Sequence, residues 1–434
     1  MAGRMLDRMF EPVDAASMVA IRVLFGVLMA LGVVRFWAMG WIEALYVTPK
    51  FYFSYWGLSW IKPLPQPGMS LVFGVMLVAS ILIALGKWYR VAAIAFFVAF
   101  TYVELVDQTN YLNHYYLVSL AALMLVCMPL AGRPSTVPRW TIWTLRLQLG
   151  LVYTFAGLAK LNVDWLFAGQ PLMIWLEARQ GIPIVGPLLA WDVIAHVMSW
   201  AGAAFDLSIF AALSWSRTRP LAYLAVIGFH VMTWLLFPIG IFPWVMIALT
   251  TVFFPPDWPR RWLPARALNR VLSTPGPSDS PRHERLVLAV LGVYFAVQLI
   301  VPLRHLAYPG SDHWHMQAFR FSWKVMLVEK TGMVEFRVVD PTSGRRWVVA
   351  PNEELTRTQT QMMSMQPDMI LSYAHHIARR MAAQGYRDVA VYADAWASLN
   401  GRPSQRLIDP DTDLAAVRDG FANKAWIVAE RPRP

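Results

Sequence analysis

One cysteine in 434 residues excludes two architectures at once. Cys127 alone can build neither an internal disulfide framework nor a thiolate metal cluster. It lies inside the apolar run 112–130, so the redox compartment cannot be read from it. Charge is scarce as well: Asp, Glu, Lys and Arg make up 15% of the chain and hydrophobic residues 57%, whereas a soluble domain carries about 25% charged residues. A membrane protein is therefore the expected class. The balance is basic, +11 overall, but a nucleic-acid binder gathers its cations on one folded surface. Here they fall between long apolar runs, where charge is a topology signal, and no nucleic-acid partner is expected. A Gly-rich phosphate loop, an HExxH helix, a Ser-His-Asp signature and an internal repeat are all absent.

What is present in quantity is long apolar sequence. A spanning helix needs about 17–25 mostly apolar residues, and nine runs qualify or come close: 17–39, 69–86, 91–106, 112–130, 140–159, 188–214, 221–236, 239–254 and 286–301. The first is too long for the core of a cleavable signal peptide and is followed by more spans, so it is expected to stay as a helix. Trp37, Trp41, Trp56 and Trp60 fit an interfacial belt. Lys and Arg collect near cytoplasmic span ends. With the N-terminus inside, the inner segments hold Arg4, Arg8, Lys87, Arg90, Arg133, Arg139, Arg217, Arg219 and six arginines between Arg260 and Arg285, while the outer ones hold Lys50, Lys62, Lys160 and Arg179. The alternation predicts nine spans, N-terminus inside and C-terminus outside.

After Val301 apolar runs shorten and charges become frequent. Segments 334–339 and 346–350 flank a turn-rich link and read as a hairpin. Residues 355–384 read as one or two helices broken near Pro367, 388–395 as a strand, and 273–281 as a flexible linker. The expected fold is mainly α: a polytopic transmembrane helical bundle of about nine helices over 1–303, then an α+β extramembrane domain over 304–434.

Ionisable side chains within spans are costly and are functional candidates by default. His114 opens the fourth run, Lys160 closes the fifth, His230 lies near the end of the seventh, and His196 and Asp206 lie in the sixth. The topology gathers them toward the outer face. Each also has a plainer reading. Position alone favours a snorkelling cation for Lys160; His114 can simply bond a backbone carbonyl; His196 and His230 can tie helices together. Arg22, Arg35 and Arg146 are expected to pair with acidic groups or carbonyls inside the bundle, Asp206 among them. His313 and His315 alternate around Trp314 and could share a strand face, but two ligands without a third make no metal site. His375-His376 reads as a solvated helix face.

Several blocks, in serial order over nearly the whole chain, resemble the vitamin K-dependent gamma-carboxylase family, whose membrane region is also known as the HTTM domain. They are the segment around His114, FAGLAKLNVDWL (155–166), AFDLS (204–208), the long block 228–263, VPLRHLAYPGSDHW (301–314), FSWKVML (321–327) and SLNGRPSQRLIDP (398–410).

The resemblance implies a reaction at the outer face in which reduced vitamin K (phylloquinol or menaquinol) meets O2, CO2 and a glutamate side chain of a protein or peptide client. The lysine of the family's Lys-Leu-x-x-Asp-Trp motif falls on Lys160 and the histidine of its Asn-His motif on His114. In the family the lysine deprotonates the hydroquinone and the histidine supports it; the oxygenated quinol then removes a γ-proton from glutamate, CO2 adds, and an epoxide leaves. Quinol contacts are then expected at Tyr111, Asn113, Tyr153 and His230, and acceptor contacts at His305, Trp314, Phe319, Phe321 and Trp323. An exposed lysine is protonated at neutral pH and is no base, whereas burial disfavours an ammonium; a site at the membrane boundary supplies burial and admits a lipid-soluble quinol from lipid. No metal is required.

This sequence departs from the animal enzymes at three points. Ala159-Lys160 stands where they have two adjacent lysines, Phe319-Arg320-Phe321 where they have a Tyr-rich stretch, and Cys127 has no partner for their lumenal disulfide. Two other readings stay open: a quinol oxygenase or epoxidase with another acceptor or none, and a non-enzymatic quinone-binding or transport protein. Transporters usually place broken helices and charge near the midplane, whereas these candidates gather at one face, which favours an enzyme. The Arg-rich composition and compact loops suggest a bacterial source, hence a cytoplasmic (inner) membrane with the active face and C-terminal domain outside.

Overall fold

A computed structural model of the chain describes residues 8–273 and 284–431. The linker expected over 273–281 falls outside them except for Ser273, as do Arg4 and Arg282. All nine apolar runs form helices: α1 (Ala16–Ala38), α2 (Gly68–Leu85), α3 (Tyr89–Val106), α4 (Asn113–Cys127), α5 (Arg139–Ala159), α6 (Asp192–Ser214), α7 (Arg219–Leu236), α8 (Phe242–Thr250) and α9 (Glu284–Leu303). Seven are long and apolar enough to cross a membrane; α4, and α8 with the 3-10 turn that extends it to Phe253, are shorter. At α6 the start shifts, because Leu188 belongs to the separate turn Gly186–Leu189 and extended Trp191 breaks the path before Asp192.

Small residues set the helix crossings, as they do where lipid supplies no hydrophobic drive between helices. A Cβ on Gly26 would meet the Ser80 carbonyl oxygen of α2 at 2.5 Å, and one on Gly157 would meet Leu207 of α6 at 2.8 Å. The second contact matters most here, because it brings the C-terminal end of α5 against the middle of α6. Arg22 and Arg146 bind carbonyls rather than carboxylates: Arg22 donates to Leu130 O at 2.5 Å, and Arg146 to the carbonyls of Val252, Phe253 and Phe254 at 2.9–3.2 Å. At the same end as Arg22, a two-stranded ribbon pairs β1 (Pro12–Asp14) with β2 (Thr136–Pro138).

The C-terminal domain is an antiparallel sheet in the order β4-β3-β5-β6, with β3 (Lys330–Val339), β4 (Arg346–Val349), β5 (Ala390–Leu399) and β6 (Gln405–Arg406). The expected hairpin is β3–β4, and the expected strand at 388–395 is β5, longer than foreseen. Strict alternation in β5 buries Val391, Ala393, Ala395 and Ala397 against Ile370, Ala374 and Ile377. Those three lie on α11 (Pro367–Ala383), which follows α10 (Arg357–Ser364) across the break at Pro367. His375 and His376 are not simply solvated: they bond Val417 O and Glu354 at 2.8 Å each.

The domain closes over the helix ends at which Lys160 and His114 lie. Phe53, from the α1–α2 connection, is buried in its core, and Gln359 donates to Asp107 at 2.8 Å. Two of the sequence blocks meet at a third contact. Asp164 of the KLNVDWL segment accepts from Arg402 at 2.5 and 2.7 Å and from Asn400 at 2.8 Å, both from the SLNGRPSQRLIDP segment. Removing one member of a partly buried ion pair strands the other charge, so Arg402→Ala is expected to loosen the domain by on the order of 3 kcal/mol. Limited proteolysis or hydrogen exchange at 398–410 would show it; unchanged protection would discount this contact.

Candidate active site

Lys160 is the residue at which α5 ends, and a cation is favoured at a helix C-terminus. It is 5% exposed. Its ammonium donates to Asp206 Oδ2 at 2.7 Å and to Ala156 O at 3.3 Å, and its Nζ stands 5.2 Å from the Trp165 ring centroid. Asp206 is equally buried, on the stretch of α6 that Gly157 allows to approach. So Lys160 does not snorkel, and Asp206 pairs with it rather than with an arginine.

The pair faces a cavity of about 110 Å³ whose wall also holds His114, Tyr153, His230, Phe229, Phe237 and Phe242. Tyr153 Oη and His230 Nε2 are 3.0 Å apart, while His230 Nδ1 is buried with no hydrogen-bond partner among the described residues. Val325 and Met326, from the strap that enters the C-terminal domain, complete the wall. His114 packs against the rings of Tyr115 and Phe242 at 4.6 and 5.2 Å. It shares the chamber with Lys160, but among the described residues no hydrogen bond joins them; the amine is held by Asp206.

Several other expected residues serve the architecture instead. Asn113 donates to Lys324 O at 3.0 Å, and Tyr111 donates to Asn113 at 3.0 Å while accepting from the Phe321 amide at 2.7 Å. Both therefore clamp the strap at 321–324 and do not line the chamber. Trp323 is buried and stacks on Tyr116 at 4.9 Å, and Trp314 donates to Val428 O at 2.7 Å within the domain core. His305 donates from Nδ1 to Pro302 O at 2.7 Å. His196, with its two ring nitrogens 2.9 and 3.2 Å from the Asp192 and Phe167 carbonyl oxygens, ties α6 to the loop at 167 and stands outside the chamber wall. Phe319 and Phe321 do line a cavity, a separate one of about 560 Å³ shared with Arg304, Tyr308 and Arg320.

His313 and His315 lie on a short helix, Asp312–His315, not on a strand. Among the described residues no group of three His, Cys, Asp or Glu side chains could hold a metal ion. Burial pulls both imidazoles down to about 4, and His315 Nδ1 accepts from the Gln317 amide at 3.0 Å, as a neutral ring can. As pH falls from about 6.5 to 4 the unfolded chain takes up protons that the folded domain refuses, so stability is lost in that window. The expected slope is up to about 1.4 kcal/mol per pH unit for each histidine. Melting curves between pH 7 and 4 read it, and a His313→Gln/His315→Gln variant that kept the full slope would exclude these two side chains as its source.

One group of the same kind, Glu104, was not singled out from sequence, and Arg35 does not find the carboxylate or carbonyl expected for it among the described residues. Glu104, in α3, and Arg35, in α1, line a second cavity of about 170 Å³, which meets the first at His114, Ile239 and Phe242. Glu104 is an ionisable side chain within an apolar run, the signal that had flagged Lys160.

Fold and site together define a polytopic helical membrane protein with a buried lysine–carboxylate pair in an apolar chamber, capped by an α+β domain. Residues 10–258 match the HTTM domain, and residues 283–432 match the vitamin K-dependent gamma-carboxylase, lumenal domain. The chain belongs to the vitamin K-dependent gamma-carboxylase family. No solved structure matches it. Membership implies a carboxylase-type enzyme that uses reduced vitamin K with O2 and CO2, in contact with lipid, quinol and a glutamate-containing substrate.

Proposed function

We propose that the protein is a vitamin K- or menaquinol-dependent gamma-glutamyl carboxylase whose base is the Lys160–Asp206 pair. The observation that carries this reading is the burial of that pair, at 2.7 Å, in a chamber otherwise lined by apolar and aromatic side chains. These residues fit a hydroquinone: flat apolar walls suit the ring, and Lys160–Asp206, Tyr153–His230 and His114 offer hydrogen bonds to its hydroxyls. When bound, the quinol supplies the oxygen-dependent chemistry that makes a strong base and ends as the epoxide.

The chain's own part is proton handling and exclusion of water. A proton shared across 2.7 Å can rest on Asp206, which leaves the Lys160 amine free to take one from a hydroxyl in the chamber. Tyr153 and His230 Nε2 orient one another, and Val325 and Met326 keep solvent out from the domain side. The charge alternation of the loops supports a chamber that opens on the extracytoplasmic side of a cytoplasmic membrane.

The acceptor is the finer part of the proposal. The cavity at Phe319 and Phe321 carries Arg304 and Arg320, suited to a carboxylate. Among the described residues none lines both that cavity and the Lys160 chamber. That separation favours, as a second reading, quinol oxygenation uncoupled from carboxylation. Purified protein given reduced vitamin K, bicarbonate and a glutamate peptide separates the two: epoxide with a peptide gain of one CO2 supports the carboxylase, epoxide alone the second reading, and neither product rejects both.

A further inference from the structure

The Lys160 chamber is small. A cavity of about 150 Å³ holds a single benzene, so about 110 Å³ is too small for a two-ring head, still less for its prenyl tail, unless the chamber opens into its neighbour. The neighbouring cavity, of about 170 Å³, shares His114, Ile239 and Phe242 with it and is walled mainly by apolar side chains of α1, α3, α4 and α8. Of its lining residues Arg35, Leu112 and Pro238 are exposed, and Leu31 and Val34 of α1 are exposed as well. Exposed apolar side chains such as Leu31 and Val34 on a helix long and apolar enough to cross a membrane suit a lipid-facing surface. Besides His114 and the phenols of Tyr46 and Tyr115, two charge-bearing groups break the apolar wall, Arg35 and Glu104. Among the described residues neither makes a hydrogen bond or ion pair; Arg35 instead lies over the Trp41 ring at 4.7 Å.

We propose that this second chamber is the passage between the Lys160 chamber and the bilayer, through which a quinol enters and in which its prenyl tail then lies. The inference rests on the quinol reading above and extends it to tail selectivity. His114 and Phe242 form the partition, and rotation of these two rings joins the chambers. Arg35 and Glu104 meet the hydroxylated head on its way in, which accounts for two charge-bearing groups in a mainly apolar passage. Once the head has passed, the tail occupies the apolar remainder and is buried in proportion to its length.

Gly32 gives access to a test, since a Cβ built there meets nothing closer than Ile241 Cδ1 at 3.8 Å. A larger side chain can therefore grow into the passage without moving backbone. Equilibrium binding of oxidised naphthoquinones with no tail, one prenyl unit and four prenyl units would be read by tryptophan quenching in nanodiscs, without turnover. Wild type is expected to bind more tightly as the tail lengthens. Gly32→Phe is expected to weaken the four-unit quinone at least tenfold and leave the tailless one within twofold, with Gly32→Leu between. Should Gly32→Phe fail to fold, Gly32→Leu and Val118→Phe, from the opposite wall, carry the same comparison. Equal weakening of all three quinones, or no weakening of any, would overturn the passage while leaving the quinol reading standing. Failure of every quinone to bind wild type would overturn both.

Discussion

Lys160→Ala is expected to cut quinol-dependent epoxide formation by about 10²–10⁴-fold, the scale on which a positioned base acts, while the protein still folds. The size of the effect follows from the chamber's composition. Lys160 is the basic side chain that enters it with a charge-bearing partner, and His114, which shares the chamber, is not hydrogen-bonded to it and cannot inherit its place. The substitution also leaves Asp206 without its cation in an apolar setting, which a neutral protonated carboxyl can tolerate. Stability should therefore change less than activity. Epoxide release measured beside a thermal melt separates the two, and a folded variant that epoxidises at the wild-type rate would take Lys160 out of the base role.

Asp206→Asn should be nearly as damaging, about 10²-fold in kcat, although it keeps the size of the side chain and an oxygen for the lysine to donate to. An amide can neither accept nor return the proton that the pair shares, so relay of a proton between residue 206 and Lys160 is lost. Its stability cost should match that of Lys160→Ala, because either substitution leaves one buried ionisable group of the same pair without its counter-ion. The distinguishing measurement is the pH profile. With Asn at 206, the limb that the Asp206 carboxyl contributes to the wild-type profile should be gone. A variant with full activity and an unchanged profile would reduce Asp206 to a structural neighbour.

Much of this was legible in the sequence because the membrane simplifies the reading. Long apolar runs leave few alternatives to helices, and α1 to α9 fall where hydropathy put them. The pairing of β3 with β4 and the helix break at Pro367 were equally plain, since each has a local cause. Partners of polar groups were not legible. Asp206 lies 46 residues from Lys160, and only the close approach at Gly157 shows that it meets this cation and not an arginine. The same limit explains Tyr111, Asn113 and Trp323. They lie beside the expected site in sequence, yet their side chains hold the strap at 321–324 and its neighbours. His313 and His315 were misplaced because alternation around Trp314 was given a strand's period where the chain makes one helical turn. Glu104 was visible by composition and passed over; only its place on a cavity wall beside His114 gives it meaning.

The most direct measurement uses ¹⁸O₂. Purified wild-type protein in nanodiscs would be supplied with reduced vitamin K and labelled oxygen, and the quinone products analysed by mass. A base pair at Lys160–Asp206 that activates the quinol requires labelled epoxide from wild type, almost none from Lys160→Ala, and a small residue from Asp206→Asn. Epoxide formed equally by all three proteins, or by none of them, would contradict it.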